Sequence, residues 1–365
     1  MNRRWICNDV WMDILPSFER VELGLKMALL SPRYDALVDA HFDGKTTELT
    51  IWRCIEIRDG IGPEPRLTER IDDNLVEFPL PDHPLPNKIR FKDLWITYID
   101  HSVIEFLRSN KQIWDRNGTK LLIQIKLDEN VIKPIWDVFT SEIWPVFETN
   151  VCHLSITDVD HLDNLRRLIS PTILTDCDQL NSIESIDLFP DVIADDEPNA
   201  TARQVLSKWL LTPSKNGQPK RLFCWIYNNE SRIKEWISSF KETFLRATAS
   251  VSYKIRIYLH SETSSIEPFE SVNERTQEKL TLLVEETVGE DVYEFTKKWL
   301  LKRCSIIEET AIQWENDEIW DDNLNIVQFS LCGGKRTDGP YGFLRTKKKK
   351  RVKASKYRRI ARKTN

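Results

Sequence analysis

The run Asp158-Val-Asp-His-Leu-Asp163 puts three carboxylates and an imidazole within six residues, a density that would suit a hard cation. Oxygen-rich cation sites carry a fuller and more regular ligand pattern. Asp158 instead precedes an apolar helical stretch, where a short acidic side chain can cap free backbone donors, so the run reads as a loop and a helix cap. Cys152-His153 pairs a nucleophile type with a base type, but neighbours on a strand point to opposite faces. His41, His83, His101, His153, His161 and His260 show no HxxxH spacing. Cys7, Cys54, Cys152, Cys177, Cys224, Cys304 and Cys332 are scattered singly with no CxxC pair, which suits buried reduced thiols. Gly333-Gly-Lys-Arg is too short to cradle a phosphate, and no GxGxxG or Gly-x4-Gly-Lys-Ser/Thr occurs. Asp195-Asp-Glu197 reads as a solvated loop. The expectation is a protein that is not an enzyme, with no catalytic residue, no metal site and no cofactor.

Composition points to ordered domains that bind. The 365 residues are 41% hydrophobic and include 13 Trp, 15 Phe and 8 Tyr, while 11 Gly are too few for a glycine-rich architecture. No apolar run approaches the 18 residues of a membrane span, and the opening residues lack the apolar stretch of a secretory leader. A cytoplasmic or nuclear location is therefore expected. Net charge is −5, but Lys335 to Asn365 holds 14 Lys/Arg against one acid, Asp338, leaving −18 on the rest. A basic tail on an acidic body is a separate object, expected to be disordered. Within it, Lys347, Lys348, Lys349, Lys350 and Arg351 form a nuclear-import candidate, with polyanion contact or a functionless extension as alternatives.

Three short helices are expected between about Trp5 and Phe42. Asn8 is placed to cap the first, which carries Val10, Trp11, Ile14 and Leu15. Pro16 ends it. A second begins near Glu19 with Val21, Leu25, Ala28 and Leu29 on one stripe, and Pro32 starts a third through Tyr34, Leu37, Val38 and Phe42. A piece of about 40 residues rarely stabilises itself without a staple or a partner. Residues 44–87 read as a β-hairpin, with strands near Ile55–Ile57 and Leu75–Leu80, followed by a Pro-rich connector and a domain boundary. From Lys88, strand-like runs start near Leu94, Leu121, Cys152, Ile183, Leu222 and Lys254. Amphipathic helices lie between them, one with Ile132, Trp136, Phe139, Ile143 and Phe147, another with Ile233, Trp236, Ile237, Phe240 and Phe244. Runs at Leu280–Val284 and Ile326–Leu331 extend the sheet. Units near 30 residues predict parallel strands joined by helices, in a solenoid or in an open α/β sheet.

Alternation along the strands defines a working face. Leu121, Ile123, Ile125 and Leu127 oppose Gln124 and Lys126; Leu154 and Ile156 oppose His153, Ser155 and Thr157; Ile255, Ile257 and Leu259 oppose Arg256, Tyr258 and His260. The candidate substrate-binding residues are Gln124, Lys126, His153, Ser155, Arg256, Tyr258 and His260, on a face suited to a protein or peptide.

The segment Ile6-Cys-Asn-Asp-Val-Trp-Met-Asp-Ile-Leu-Pro16, with Val21-Glu-Leu-Gly-Leu25 and Leu29-Leu-Ser-Pro-Arg-Tyr34, resembles an F-box. Ile6-Cys7 stands where the family has Leu-Pro, Glu22-Leu23 matches its acidic-Leu step, and Arg33-Tyr34 stands for Arg-Trp. Stretches such as Glu48-Leu-Thr-Ile-Trp52, Ile89-Arg-Phe-Lys92, Tyr98-Ile-Asp-His-Ser-Val-Ile-Glu-Phe-Leu107 and Gly217-Gln-Pro-Lys-Arg-Leu222 are similar to the expanded F-box family of nematode worms, over roughly residues 5 to 331. The resemblance implies a three-helix F-box (1–43), the hairpin and connector (44–87), an irregular leucine-rich-repeat-like α/β domain that recognises a substrate (88–331), and the basic tail (332–365). It also implies a partner, the Skp adaptor, with cullin and RING subunits behind it in a ubiquitin ligase. The adaptor would be met through Ile6, Val10, Ile14, Leu15, Leu23 and Leu25. Two alternatives stand beside this: an interaction scaffold with a decayed box, and a nuclear protein touching nucleic acid through its tail. No membrane partner is expected.

Overall fold

The computed structural model describes residues 6–18, 23, 27–43, 55–59, 65–71, 74–85, 91, 93–115, 118–126, 129–215, 217–227, 230–259, 266–285, 297–306 and 325–332. Helix α1 (Asn8–Ile14) and helix α2 (Pro32–Asp43) come first, followed by β1 (Ile55–Asp59), β2 (Pro65–Ile71), β3 (Asn74–Pro79) and β4 (Leu94–Ile96). Strand and helix then alternate: α3 (His101–Ser109), α4 (Lys111–Asp115), β5 (Thr119–Lys126) and α5 (Glu129–Val138). A π turn over Phe139–Ile143 leads to α6 (Trp144–Phe147) and β6 (Val151–Ile156). Next come α7 (Val159–Leu168), α8 (Ile173–Asp176), β7 (Ser182–Ile186), α9 (Ala202–Leu211), β8 (Lys220–Ile226), α10 (Glu230–Arg246) and β9 (Tyr253–Leu259). Four strands close the series: β10 (Phe269–Asn273), β11 (Glu278–Glu285), β12 (Lys297–Ser305) and β13 (Asn325–Cys332).

All thirteen strands form one mixed sheet, in the order β10-β11-β12-β9-β8-β7-β6-β5-β13-β4-β1-β2-β3. The middle eight, β9 to β1 in that order, are parallel to one another. Antiparallel strands flank them on both sides. Strands β5 to β9 follow chain order. Crossovers between parallel strands are right-handed, so the four that join these five strands carry their helices to one side. The burial pattern agrees: Ile123, Ile156, Ile183, Leu222 and Ile257 share one core cluster with Trp136, Leu162, Trp209, Trp236 and Phe240 of the helices. Caps start several of those helices. Asp100 accepts from the Val103 amide at 3.0 Å, Asp158 from the Asp160 amide at 3.2 Å, and Thr201 and Gln204 satisfy each other's amides reciprocally.

The strand starts follow the sequence reading closely, but its domain lines differ. Strand β2 falls where no strand was expected, and the 44–87 segment is a three-stranded meander rather than a hairpin. Its β1 pairs in parallel with β4. Within the proline-rich connector, the Leu85 amide donates to Asn110 Oδ1 at 2.7 Å, and with β1 paired to β4 residue 87 marks no break in the sheet. The last strand does not extend an edge. It fills the slot between β4 and β5, parallel to both.

The N-terminal unit stands apart in its packing. Leu15, Leu23, Ala28, Leu37 and Val38 make a small cluster distinct from the core of the sheet. Pro16 does end α1, which closes in a 3-10 turn over Leu15–Ser17, and Pro32 does begin α2. Asn8 is no cap; it is the first helical residue and Cys7 occupies the cap position without a side-chain bond. The cause is Arg33, whose Nη2 donates to Asn8 Oδ1 at 2.9 Å and to the Ile6 carbonyl at 2.6 Å. Of the expected second helix, Val21 and Leu25 lie outside the described residues.

Candidate functional site

Two surfaces have the character of docking sites. On the N-terminal unit, Arg33 ties α1 to α2 from one side, and Trp11 meets Tyr34 edge-on at 5.1 Å from within. Ile6, just ahead of α1, and Val10 within it are each 44% exposed. Leu30 is 64% exposed nearby in sequence to α2. Ile14 is half-buried. Leu15 and Leu23 are corrected from adaptor-facing to interior: they are buried at 0% and 1%, because so small a unit needs them for its own core. Leu25 lies outside the described residues.

The second surface is the sheet face opposite the helices. Period-two alternation and the parallel register bring Lys120, His153, Ser182, Arg221 and Lys254 into one row across β5 to β9. The next row is Leu122, Ser155, Glu184, Phe223 and Arg256, and the third includes Ile186, Trp225 and Tyr258. Strand β12 continues the rows with Lys302, Leu300 and Lys298. Phe223 and Tyr258 are buried yet stand outside the helix-side core, which is the mark of this other face.

Glu184 is the hub. Lys120 Nζ donates to its Oε2 at 3.2 Å, Trp225 Nε1 donates to its Oε1 at 3.0 Å, and His153 Nε2 stands 3.6 Å from Oε2. Burial alone would raise the Glu184 carboxyl; its contacts with His153 and Lys120 outweigh that and hold it near about 2. Burial drives the His153 imidazole down to about 4, with Glu184 opposing and Lys120 assisting. At neutral pH Glu184 is therefore a carboxylate and His153 an uncharged imidazole. Around it, Trp225 and Tyr258 stack with centroids 4.0 Å apart and planes at 7°. Arg256 lies 5.9 Å over Phe223, and Lys298 lies 5.7 Å over Tyr258.

This arrangement sorts the expected substrate-binding residues. Arg256 is half-buried at the face, and Gln124 is half-buried and accepts from Ser330 Oγ at 3.3 Å. Lys126 ends β5, and His260 lies outside the described residues. His153, Ser155 and Tyr258 are buried at 3%, 4% and 2% exposure. Their role is corrected from contact residues to the framework beneath them: the Phe223 ring stacks on His153 and the Trp225 ring stacks on Tyr258. Reasoning from sequence missed Glu184, Arg221, Phe223, Trp225, Lys298 and Lys302. The signal was present, since Arg221, Phe223 and Trp225 alternate with Leu222, Cys224 and Ile226, but apolar groups on both sides disguise it.

The chemistry-bearing runs become structural. Asp158 is a helix cap, and His161 is buried with Nε2 3.1 Å from the Ile125 carbonyl and its ring 5.9 Å from Trp136. Burial pushes the Cys177 and Cys224 thiols up to about 12, so neither is a thiolate at neutral pH. Among the described residues, no three His, Cys, Asp or Glu side chains converge as a metal site, and no helix is long and apolar enough to cross a membrane. The chain matches no protein-family model, no curated protein and no solved structure.

Proposed function

We propose that the chain is a non-catalytic substrate receptor of a Skp–cullin–F-box ubiquitin ligase. Its N-terminal unit acts as a three-helix F-box that docks on the Skp adaptor, and the sheet face opposite the crossover helices captures the protein target. The observation that carries this reading is the N-terminal unit: a small core of its own, with Ile6 just ahead of α1 and Val10 in its first turn both left in solvent. Apolar groups held out this way become stabilising when a partner covers them, at about 25 cal/mol per Å² of buried surface. The in-order parallel strands β5 to β9 support an irregular leucine-rich-repeat-like reading of the larger body, and repeats of that kind bind through the open sheet. The cations of that face, set on an acidic body, favour an acidic stretch of the target. Ubiquitin transfer itself would belong to the RING subunit and its conjugating enzyme. Lys347 to Arg351 would direct import to the nucleus.

Capture of the full-length chain by purified Skp adaptor tests the proposal. Wild type is expected to bind at low salt, and the Ile6→Asp/Val10→Asp double variant to lose at least about tenfold in affinity, equivalent to about 1.4 kcal/mol. Its melting temperature should not change, since both side chains are exposed. Failure of wild type to bind, or undiminished binding by the double variant, would remove the ligase reading.

A further inference from the structure

Three neighbouring strands, β8, β9 and β12, contain no Asp or Glu between them, in a body that otherwise carries −18. Alternation and register send five of their cations to the face opposite the crossover helices: Arg221 on β8, Lys254 and Arg256 on β9, Lys298 and Lys302 on β12. Arg221, Lys254 and Lys302 stand in one row across adjacent strands, a span of roughly 10 Å at about 4.8 Å per strand. Lys254 is buried and adds its charge from below, while Arg221, Arg256, Lys298 and Lys302 are half-buried at the surface. Glu184, the acid of the same face on β7, already meets Lys120 and Trp225.

An apolar flank borders the cations. Leu300 is half-buried beside Arg256, and its cross-strand partner on β11, Leu283, is 46% exposed. The residues next to them, Leu282 and Leu301, turn into the helix-side core. The recess among Arg221, Phe223, Lys254, Arg256 and Leu300 measures about 10 Å³, the room of about one water molecule. A small-molecule ligand does not fit there, but the tip of one carboxylate does. Single-stranded nucleic acid needs open ring faces for its bases. Phe223 and Tyr258 are only 5% and 2% exposed, and Trp225 is stacked on Tyr258, so the rings are spent within the protein. Charge and shape together favour a polypeptide that is both acidic and aliphatic.

We propose that this patch takes a protein segment mixing Glu or Asp with Leu-type side chains. Its carboxylates lie over Arg221, Arg256 and Lys302, and its aliphatic groups lie on Leu283 and Leu300. The inference rests on the reading of this face as the one that captures the target, and it narrows the target to that chemistry.

Anisotropy of labelled peptides, with the full chain titrated in and no adaptor present, keeps the test separate from the ligase reading. Four repeats of Glu-Leu-Glu-Glu should bind saturably and weaken as salt rises. Four repeats of Glu-Gln-Glu-Glu, equal in charge, should bind at least about threefold more weakly for want of apolar contact. Arg221→Gln/Lys302→Gln is expected to weaken both at least about tenfold, whereas Ser in place of Lys347 to Arg351 should leave both unchanged. Leu283→Ala, at an exposed position that should not move the melting temperature, is expected to cost the Leu peptide at least about twofold and the Gln peptide nothing. Absence of saturable binding by the Leu peptide, or undiminished affinity for it in either variant of the patch, would overturn the proposal. So would oligothymidylate binding more tightly than the Leu peptide and losing that affinity in Arg221→Gln/Lys302→Gln, since the surface would then serve nucleic acid.

Discussion

On the sheet face opposite the crossover helices, the charge state of one imidazole sets how stability responds to acid. His153 sits within reach of Glu184 and 6.3 Å from the stacked ring of Phe223, and its folded pKa is about 4 against 6.5 when exposed. A depressed histidine adds stability that is complete above pH 6.5 and is lost as pH falls toward 4, because only the unfolded chain then takes the proton. The full loss amounts to about 3 kcal/mol. Glu184 acts in a lower window, below its ordinary 4.5 and toward about 2, so the interval from 6.5 to 4.5 separates His153 from Glu184, and His153→Gln picks out its share from that of other buried groups. Urea unfolding at pH 7, 6 and 5 should show stability declining by about 1 kcal/mol per unit, and His153→Gln should flatten that decline. A wild type equally stable at pH 7 and 5 would refute this account. Alternation in the sequence placed His153 and Ser155 on the correct face. Their burial was not legible, because the ring that covers His153 comes from a strand some seventy positions later.

Among the elements, β13 has the most leverage. Phe329 is 0% exposed and packs edge-on between Phe139 at 5.3 Å and Phe147 at 6.0 Å. Asn325 Nδ2 donates to the Ile113 carbonyl at 2.9 Å, tying the strand to α4. Phe329→Ala is expected to destabilise by about 3–5 kcal/mol, the range for emptying a well-packed aromatic site, as read from chemical denaturation. A loss under about 1 kcal/mol would mean that the strand is peripheral. Truncation gives a coarser version of the same test. A chain ending after Gly334 keeps the whole β13 ladder and should melt like the full protein. One ending after Ile306 leaves β4 and β5 facing a vacant slot, with unpaired backbone groups on both sides, and should lose cooperative unfolding. The sequence showed that Ile326–Leu331 is a strand but not where it goes, since register with Leu94 and Thr119 is set by contacts across two hundred residues. Strand β2 escaped notice for a local reason: Pro65 at its head and Glu69-Arg70 in its run look like a loop, and pairing on both sides overrides that.

Taken whole, the molecule joins two cores of very different size, and that division was the part of its organisation most legible from sequence. The proline punctuation at Pro16 and Pro32 and the stripe through Leu37 and Val38 mark a compact helical piece, while the thirty-residue rhythm after it marks one continuous sheet. The boundary drawn at residue 87 failed because proline-rich composition signals a stiff connector, not the end of hydrogen bonding between strands. Unequal cores should open with unequal free energies. The cluster of Leu15, Leu23, Ala28, Leu37 and Val38 is too small to match the sheet's core, so native-state hydrogen exchange is expected to find the amides of α1 and α2 far less protected than those of β5 to β9. Leu15→Ala removes a fully buried side chain from that cluster, at a cost of about 2–5 kcal/mol. It should erase protection in α1 and α2 while leaving the sheet untouched. On the proposed receptor reading, Skp adaptor added in hundredfold excess over its dissociation constant should raise protection by about 2.7 kcal/mol, again in α1 and α2 alone. Should Leu15→Ala instead weaken the sheet as much as the helices, the two cores would unfold as one, and the N-terminal unit could not serve as a separately completed docking module.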